Sequence, residues 1–210
     1  MNKIGIYKYG SCNVHSLINA LESLSINYEI FESTSLLKNY KKVILPGVGN
    51  MKVIDDKSMK IISEDLKIFS KDGGLIYGIC LGLQMMFEFS EESNKKTLGL
   101  LNGKTISVVK LLSKNLNVNF NKLLLEDSHL NHSFIKKLFS NISRSARFYF
   151  LHSYYCKSSD SKILQIDTKV RENKVPAFFI KDNIVGSQFH PELSGENGLK
   201  LLKNFSEIVI

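Results

Sequence analysis

A chain of 210 residues, 43% hydrophobic and 23% charged, has the size and composition of one globular domain, long enough to bury a core without a metal or disulfide staple. The formal charge of +8 leaves a nucleic-acid or anionic partner open on arithmetic alone, but only three of the 28 cations are Arg (Arg144, Arg147, Arg171), the side chain suited to forked phosphate and base contacts, and this argues against nucleic acid. Three cysteines without paired spacing (Cys12, Cys80, Cys156) argue against a disulfide framework and for a reducing compartment, and no apolar run reaches membrane-span length, so a cytoplasmic location is expected.

In chain order, residues 3–7 form a short apolar run before Tyr9-Gly10, and a signal peptide is not expected from so brief a run. Val14, Leu17, Ile18, Leu21 and Leu24 then recur at helical spacing over 13–24. Apolar runs follow at 28–31 and at Lys42-Val-Ile-Leu45, the latter leading into Pro46-Gly47. Val53, Ile54, Ile61, Ile62, Leu66 and Phe69 predict a helix over 52–69, and Leu75-Ile-Tyr-Gly-Ile-Cys80 predicts a strand that runs into a helix reaching Phe89. Strands separated by helical patterns of this length indicate βαβ units and a parallel sheet. The second half changes character: short β-leaning runs at 105–109, 147–152, 162–167, 176–180 and 184–189 predict antiparallel additions to that sheet, and Leu199, Leu202, Phe205 and Ile208 share one face of a closing helix over 198–208. The Asn-rich segment 111–135 is the least legible, and no repeat or linker divides the chain.

Three features carry chemistry. Gly78-Ile79-Cys80-Leu81-Gly82 sits where an apolar strand meets a helix, and glycines on both sides of a nucleophile permit the tight turn that exposes it; a buried cysteine in a Gly-rich turn is the plainer alternative. A thiolate needs a base and the base an orienting group. His190-Pro191-Glu192 follows Ile184–Phe189, and on an extended segment residues 190 and 192 would lie on one side, about 7 Å apart at Cα. The same His-x-Glu opens the zinc deaminase signature, but the downstream Pro-Cys-x-x-Cys it requires is absent, and the other histidines lack ligand spacing, so no metal site is expected. Pro46-Gly47-Val48-Gly49-Asn50, at a strand's carboxyl end, is either an ordinary turn or backbone aimed at an oxyanion; it is neither a dinucleotide fingerprint nor a P-loop.

Together these match a family. Leu-Pro-Gly-Val-Gly at 45–49, Gly-Ile-Cys-Leu-Gly-Leu-Gln at 78–84, Phe-Leu-His-Ser-Tyr at 150–154 and Gly-Ser-Gln-Phe-His-Pro-Glu at 186–192 resemble class I glutamine amidotransferases, in matching order from residue 3 to about 206. Pro-Gly-Val-Gly, Phe-x-His-Ser-Tyr and the opening Tyr9-Gly10-Ser11-Cys12-Asn13 narrow the likeness to HisH-like subunits, the glutaminases of imidazole glycerol phosphate synthase. The resemblance implies an α/β, flavodoxin-like fold with a central, mostly parallel sheet flanked by helices, and a single glutaminase domain over 1–210. It implies that Cys80 attacks the side-chain amide of L-glutamine, that His190, oriented by Glu192, protonates the departing ammonia, and that water then hydrolyses the thioester. Backbone N–H groups of Leu81 and of the Val48–Gly49 peptide would form the oxyanion hole, with Gly47, Gln84, Ser153 and Tyr154 against the substrate. No cofactor is implied. The partner implied is a HisF-like cyclase, a (β/α)8 barrel held as a heterodimer that receives ammonia and makes imidazole glycerol phosphate and aminoimidazole carboxamide ribotide in histidine biosynthesis, with Asn13, Phe120, Asn121, Tyr149 and Leu193 at the interface. Neither nucleic acid nor membrane is expected as a partner.

The chain departs from the family at Lys8, Cys12, Leu116–Asn121 and Leu193, where such a partner would sit. Two other readings follow: a HisH-like paralogue supplying ammonia to a sugar-nucleotide amidotransferase in surface-polysaccharide synthesis, and a free-standing cysteine hydrolase.

Overall fold

A computed structural model describes residues 3–10, 12–47, 49, 51–109 and 116–209. The first half alternates strand and helix: β1 (Ile4–Tyr7), α1 (His15–Ser23), β2 (Tyr28–Phe31), β3 (Lys42–Leu45), α2 (Asp56–Lys71), β4 (Leu75–Ile79) and α3 (Leu81–Met86). Then come β5 (Phe89–Ser90), β6 (Lys95–Lys96), β7 (Gly103–Ser107), β8 (Asn117–Lys122), two short helices α4 (Asp127–Leu130) and α5 (Ser133–Leu138), β9 (Arg147–His152), β10 (Tyr154–Ser158), β11 (Leu164–Val170), β12 (Asn173–Lys181), β13 (Ile184–Ser187) and α6 (Gly195–Glu207).

A seven-stranded sheet has the order β11-β12-β13-β4-β3-β1-β2. The five strands from β13 to β2 are parallel, and β12 and β11 continue antiparallel from β13. This is the doubly wound order 2-1-3-4-5 with an antiparallel extension, so the carboxyl ends of β3, β4 and β13 open side by side onto one edge, where such sheets bind ligands. β1, β3, β4 and β13 are buried along their whole length, as a sheet covered on both faces requires.

Not every β-leaning run joins this sheet. The one at 105–109 enters a four-stranded sheet, β10-β7-β5-β6, and the one at 147–152 pairs with β8 in a two-stranded ribbon. The ribbon turns Phe148, Phe150 and His152 inward, and the rings of Phe148 and Phe150 pack on Phe189 with centroids 4.4 and 5.7 Å away.

Predicted helix ends shift, and two of the shifts have a visible cause. The helix expected over 52–69 starts at Asp56, because Asp55 is extended and its carboxylate accepts from the Ser58 backbone N–H (2.9 Å) and hydroxyl (2.6 Å), a side-chain cap. The helix expected to reach Phe89 stops at Met86. Phe87 is extended, and the N–H groups of Leu98, Gly99, Leu100 and Leu101 take the carbonyls of Met85, Phe87 and Met86.

Candidate active site

Cys80 follows the last residue of β4 and precedes α3 with φ +43° and ψ −99°, so the nucleophile candidate itself, and neither flanking glycine, adopts the left-handed backbone. Such a conformation costs on the order of 1–3 kcal/mol in a residue with a Cβ and persists only where surrounding packing imposes it. The glycine at 82 answers a different need: a Cβ there would lie 2.2 Å from the Leu45 carbonyl oxygen, so the elbow closes against β3 only with hydrogen at that position. The thiol is buried and lies 3.7 Å from the Leu151 carbonyl.

His190 reaches Cys80 because β13 lies beside β4 in parallel register, with Ser187 opposite Ile79. Two backbone bonds fix the approach: Cys80 N–H donates to Ser187 O (2.7 Å), and His190 N–H donates to Tyr149 O (2.9 Å). Glu192 does meet His190, at 2.7 Å from Oε1 to Nδ1, but by a different geometry from that expected. Pro191–Leu193 is a 3-10 turn, so the carboxylate curls back to the ring and is no pleated neighbour on an extended strand. Since a carboxylate only accepts, Nδ1 carries the proton there and Nε2 is left for the Cys80 side chain. Burial works against charge on the imidazole, yet its hydrogen bonds and charge interactions with Cys80 and Glu192 outweigh burial and raise its pKa to about 10.

The loop at 46–49 flanks this pair. A Cβ on Gly47 would lie 3.0 Å from His190 Cε1 and 3.0 Å from the Ile79 carbonyl, so the backbone passes against the imidazole and against the end of β4, one residue before Cys80. Gly49 is exposed and packs on Cys12, while Val48 lies outside the described residues, as does Ser11 of the Tyr9–Asn13 motif. Leu81 N–H, an oxyanion-hole candidate, donates to the Gly47 carbonyl at 3.4 Å. Gln84 Nε2 donates to the Tyr154 carbonyl at 2.8 Å, joining two predicted substrate contacts, and Ser153, between β9 and β10 in the chain, is half-buried.

Two participants were not foreseen. His152, buried in β9, bonds Tyr154 O through Nδ1 (2.8 Å) and Asn117 Nδ2 through Nε2 (2.9 Å). Because Asn117 Nδ2 can only donate, the ring is the neutral Nδ1–H form, and burial, chiefly, lowers its pKa to about 4. Gln188, fully buried, points Nε2 at the Cys80 sulfur, 3.5 Å away. Position 188 falls inside the quoted 186–192 motif, but its contact follows from strand pairing that no local pattern reveals.

The predicted interface residues divide. Phe120 and Tyr149 face each other across the ribbon with ring centroids 5.1 Å apart, on its outward side with the exposed Val118 and Leu151. Leu193 is exposed, one residue before Ser194, whose hydroxyl accepts from Tyr149 N–H at 2.9 Å. Asn121 belongs to the opposite, inward side, its Nδ2 buried, and the exposed Asn13 accepts from His15 N–H at 3.0 Å at the head of α1. No group of three potential metal ligands occurs among the described residues.

The family model "Glutamine amidotransferase class-I" matches residues 6–208. The chain belongs to that family. Within it, the chain is 33% identical over 207 residues to the imidazole glycerol phosphate synthase subunit HisH of Prochlorococcus marinus subsp. pastoris, covering 98% of each chain. It is 35% identical over 211 residues to the HisH of Caldanaerobacter subterraneus subsp. tengcongensis, again covering 98% of each. Among solved structures, PurLQS from Thermotoga maritima superposes with a TM-score of 0.73 at 20% identity over 96% of both chains. The glutaminase domain of Trypanosoma brucei CTPS with bound acivicin gives 0.68 at 12% identity, over 100% of this chain and 96% of that one. Both structures share the fold of this chain.

Proposed function

We propose that this amidotransferase acts as one glutaminase domain over residues 1–210, the HisH-type subunit of imidazole glycerol phosphate synthase, hydrolysing L-glutamine for histidine biosynthesis. The observation that carries the chemistry is the single buried line Cys80–His190–Glu192, with the proton on Nδ1 held by the carboxylate. The Cys80 thiolate attacks the side-chain carbonyl carbon of glutamine. The C–N bond breaks as His190 gives its Nε2 proton to the departing amine, which leaves as ammonia. Water, losing a proton to the neutral imidazole, adds to the thioester; the C–S bond then breaks, glutamate leaves and the thiolate–imidazolium pair is restored.

The likeness to HisH subunits over nearly the whole chain supports the pathway, and their naming as subunits supports a partner. The partner proposed is a (β/α)8 cyclase, bound as a heterodimer over the outward ribbon face beside the site, to which ammonia passes directly. Leu81 N–H is engaged by Gly47 O, so that donor is free for an oxyanion only after the loop shifts, which supports low glutaminase turnover by the isolated chain.

Cys80→Ala in the reconstituted complex is expected to abolish glutamine-dependent synthesis of imidazole glycerol phosphate and to leave synthesis from added ammonia intact. Loss of both would reduce Cys80 to a structural residue. Growth of a histidine auxotroph lacking this subunit, supplied with the chain and its own cyclase, tests the pathway itself.

A further inference from the structure

The residue after β13 arrives at the nucleophile by construction. Cys80 N–H is bonded to Ser187 O, so Gln188, the next residue along, lies directly beside the elbow, its own N–H tied to Ala177 O at 2.8 Å. The side chain is fully buried and its one hydrogen bond among the described residues runs from Nε2 to the Cys80 sulfur at 3.5 Å. Its Oε1 is buried with no partner. Val185 and Phe189, its apolar neighbours along the chain, are equally buried. A leucine or methionine would fill the same space without stranding an oxygen, so packing alone does not account for an amide here.

We propose that Gln188 is a catalytic residue of the glutaminase half-reaction, its Nε2–H holding the Cys80 sulfur in the attacking direction and carrying part of its negative charge. This rests on Cys80 being the nucleophile. The two donors to the sulfur then differ in kind. His190 surrenders its proton to the departing amine and is spent as a donor until water restores it. The amide N–H of Gln188 does not titrate, so it remains in place throughout the cycle. It steadies the thiolate before attack, and it receives the charge that returns to sulfur when the thioester C–S bond breaks. A group that contacts sulfur acts on kcat and leaves KM for glutamine nearly unchanged.

The test compares Gln188→Leu and Gln188→Met with the parent chain, each in complex with the cyclase. Co-elution with the partner and an unchanged melting temperature serve as the check on folding. Expected are a fall in glutamine-dependent kcat of about 10- to 100-fold with KM within about twofold, the scale of one hydrogen bond to a charged group. The rate of Cys80 alkylation by iodoacetamide, read at that residue by mass spectrometry, should fall by a similar factor. A folded variant with parental alkylation rate and kcat overturns the inference, as does a loss confined to KM. If neither variant folds, Gln188 belongs to packing and the inference is likewise overturned. Cys80→Ala run in parallel separates the two claims: full glutamine-dependent synthesis there refutes the nucleophile itself, whereas an inert Cys80→Ala beside a fully active Gln188→Leu refutes only the role of Gln188.

Discussion

Around His190, burial pushes the proton off while Cys80 and Glu192 hold it on, and the second effect wins, leaving the pKa near 10. A histidine raised in the folded state contributes stability that is complete below its unfolded value of about 6.5 and is lost as pH climbs through about 10. Glu192→Gln keeps an acceptor for Nδ1–H but removes its charge, so the His190 midpoint should fall and the alkaline loss of stability should be smaller and finish at lower pH. The Cε1 proton resonance followed against pH reads the midpoint, and kcat should drop less than in His190→Ala because the imidazole remains. An unmoved midpoint would remove the carboxylate from its orienting role. These three residues, Cys80, His190 and Glu192, were legible because each motif is local in sequence: glycines about a cysteine, a glutamate two places after a histidine. Gln188 and His152 were not, since their partners lie 108 residues away at Cys80 and 35 away at Asn117.

At the scale of elements, Asn117–His152–Tyr154–Gln84 stitches the ribbon to β10 and to α3, whose first residue follows the nucleophile. The joint works only with a neutral imidazole. Because the folded pKa of about 4 lies below the unfolded value, the unfolded chain binds the extra proton between about 6.5 and 4. Stability is therefore lost over that window, by about 3 kcal/mol in all. In His152→Gln, denaturation at pH 7 and pH 4.5 should give a smaller difference in stability than in the parent; an equal difference would assign the acid loss to other groups. The same ribbon explains why 117–122, within the illegible 111–135, resisted reading; 111–115 lie outside the described residues. In β8 the apolar residues Val118 and Phe120 point outward and the asparagines at 117, 119 and 121 lie on the other side, the reverse of the hydrophobic-in pattern by which a half-buried strand is recognised. The first half was readable because its parallel strands are short, mostly apolar and punctuated by turns, whereas helix ends depended on the Asp55 cap and on carbonyls taken by residues 98–101.

Over the whole molecule, the +8 charge has little to do with the site. Lys8 pairs with Glu32 at 2.9 Å, and Lys42, buried under the last helix, donates to the carbonyls of Phe205 and Ser206. That lysine closes a helix C-terminus. What the surface offers beside the site is apolar: Val118, Phe120, Leu151 and Leu193 are 51, 45, 39 and 40% exposed. Phe120→Asp should weaken binding of the cyclase by about 10- to 100-fold in titration calorimetry and leave the isolated chain's melting temperature unchanged. An unchanged Kd would take the ribbon out of the contact.

The placing of β13 between β12 and β4 also sets an order of events during synthesis. Seven strands make the large sheet, and the last to leave the ribosome fills a gap near its middle. Until it does, β4 shows a bare edge of N–H and C=O groups, and the cysteine at its end has no imidazole or amide beside it. A chain that lacks β13 is thus without its base as well as sticky, and glutamine is safe from it until that strand is in place.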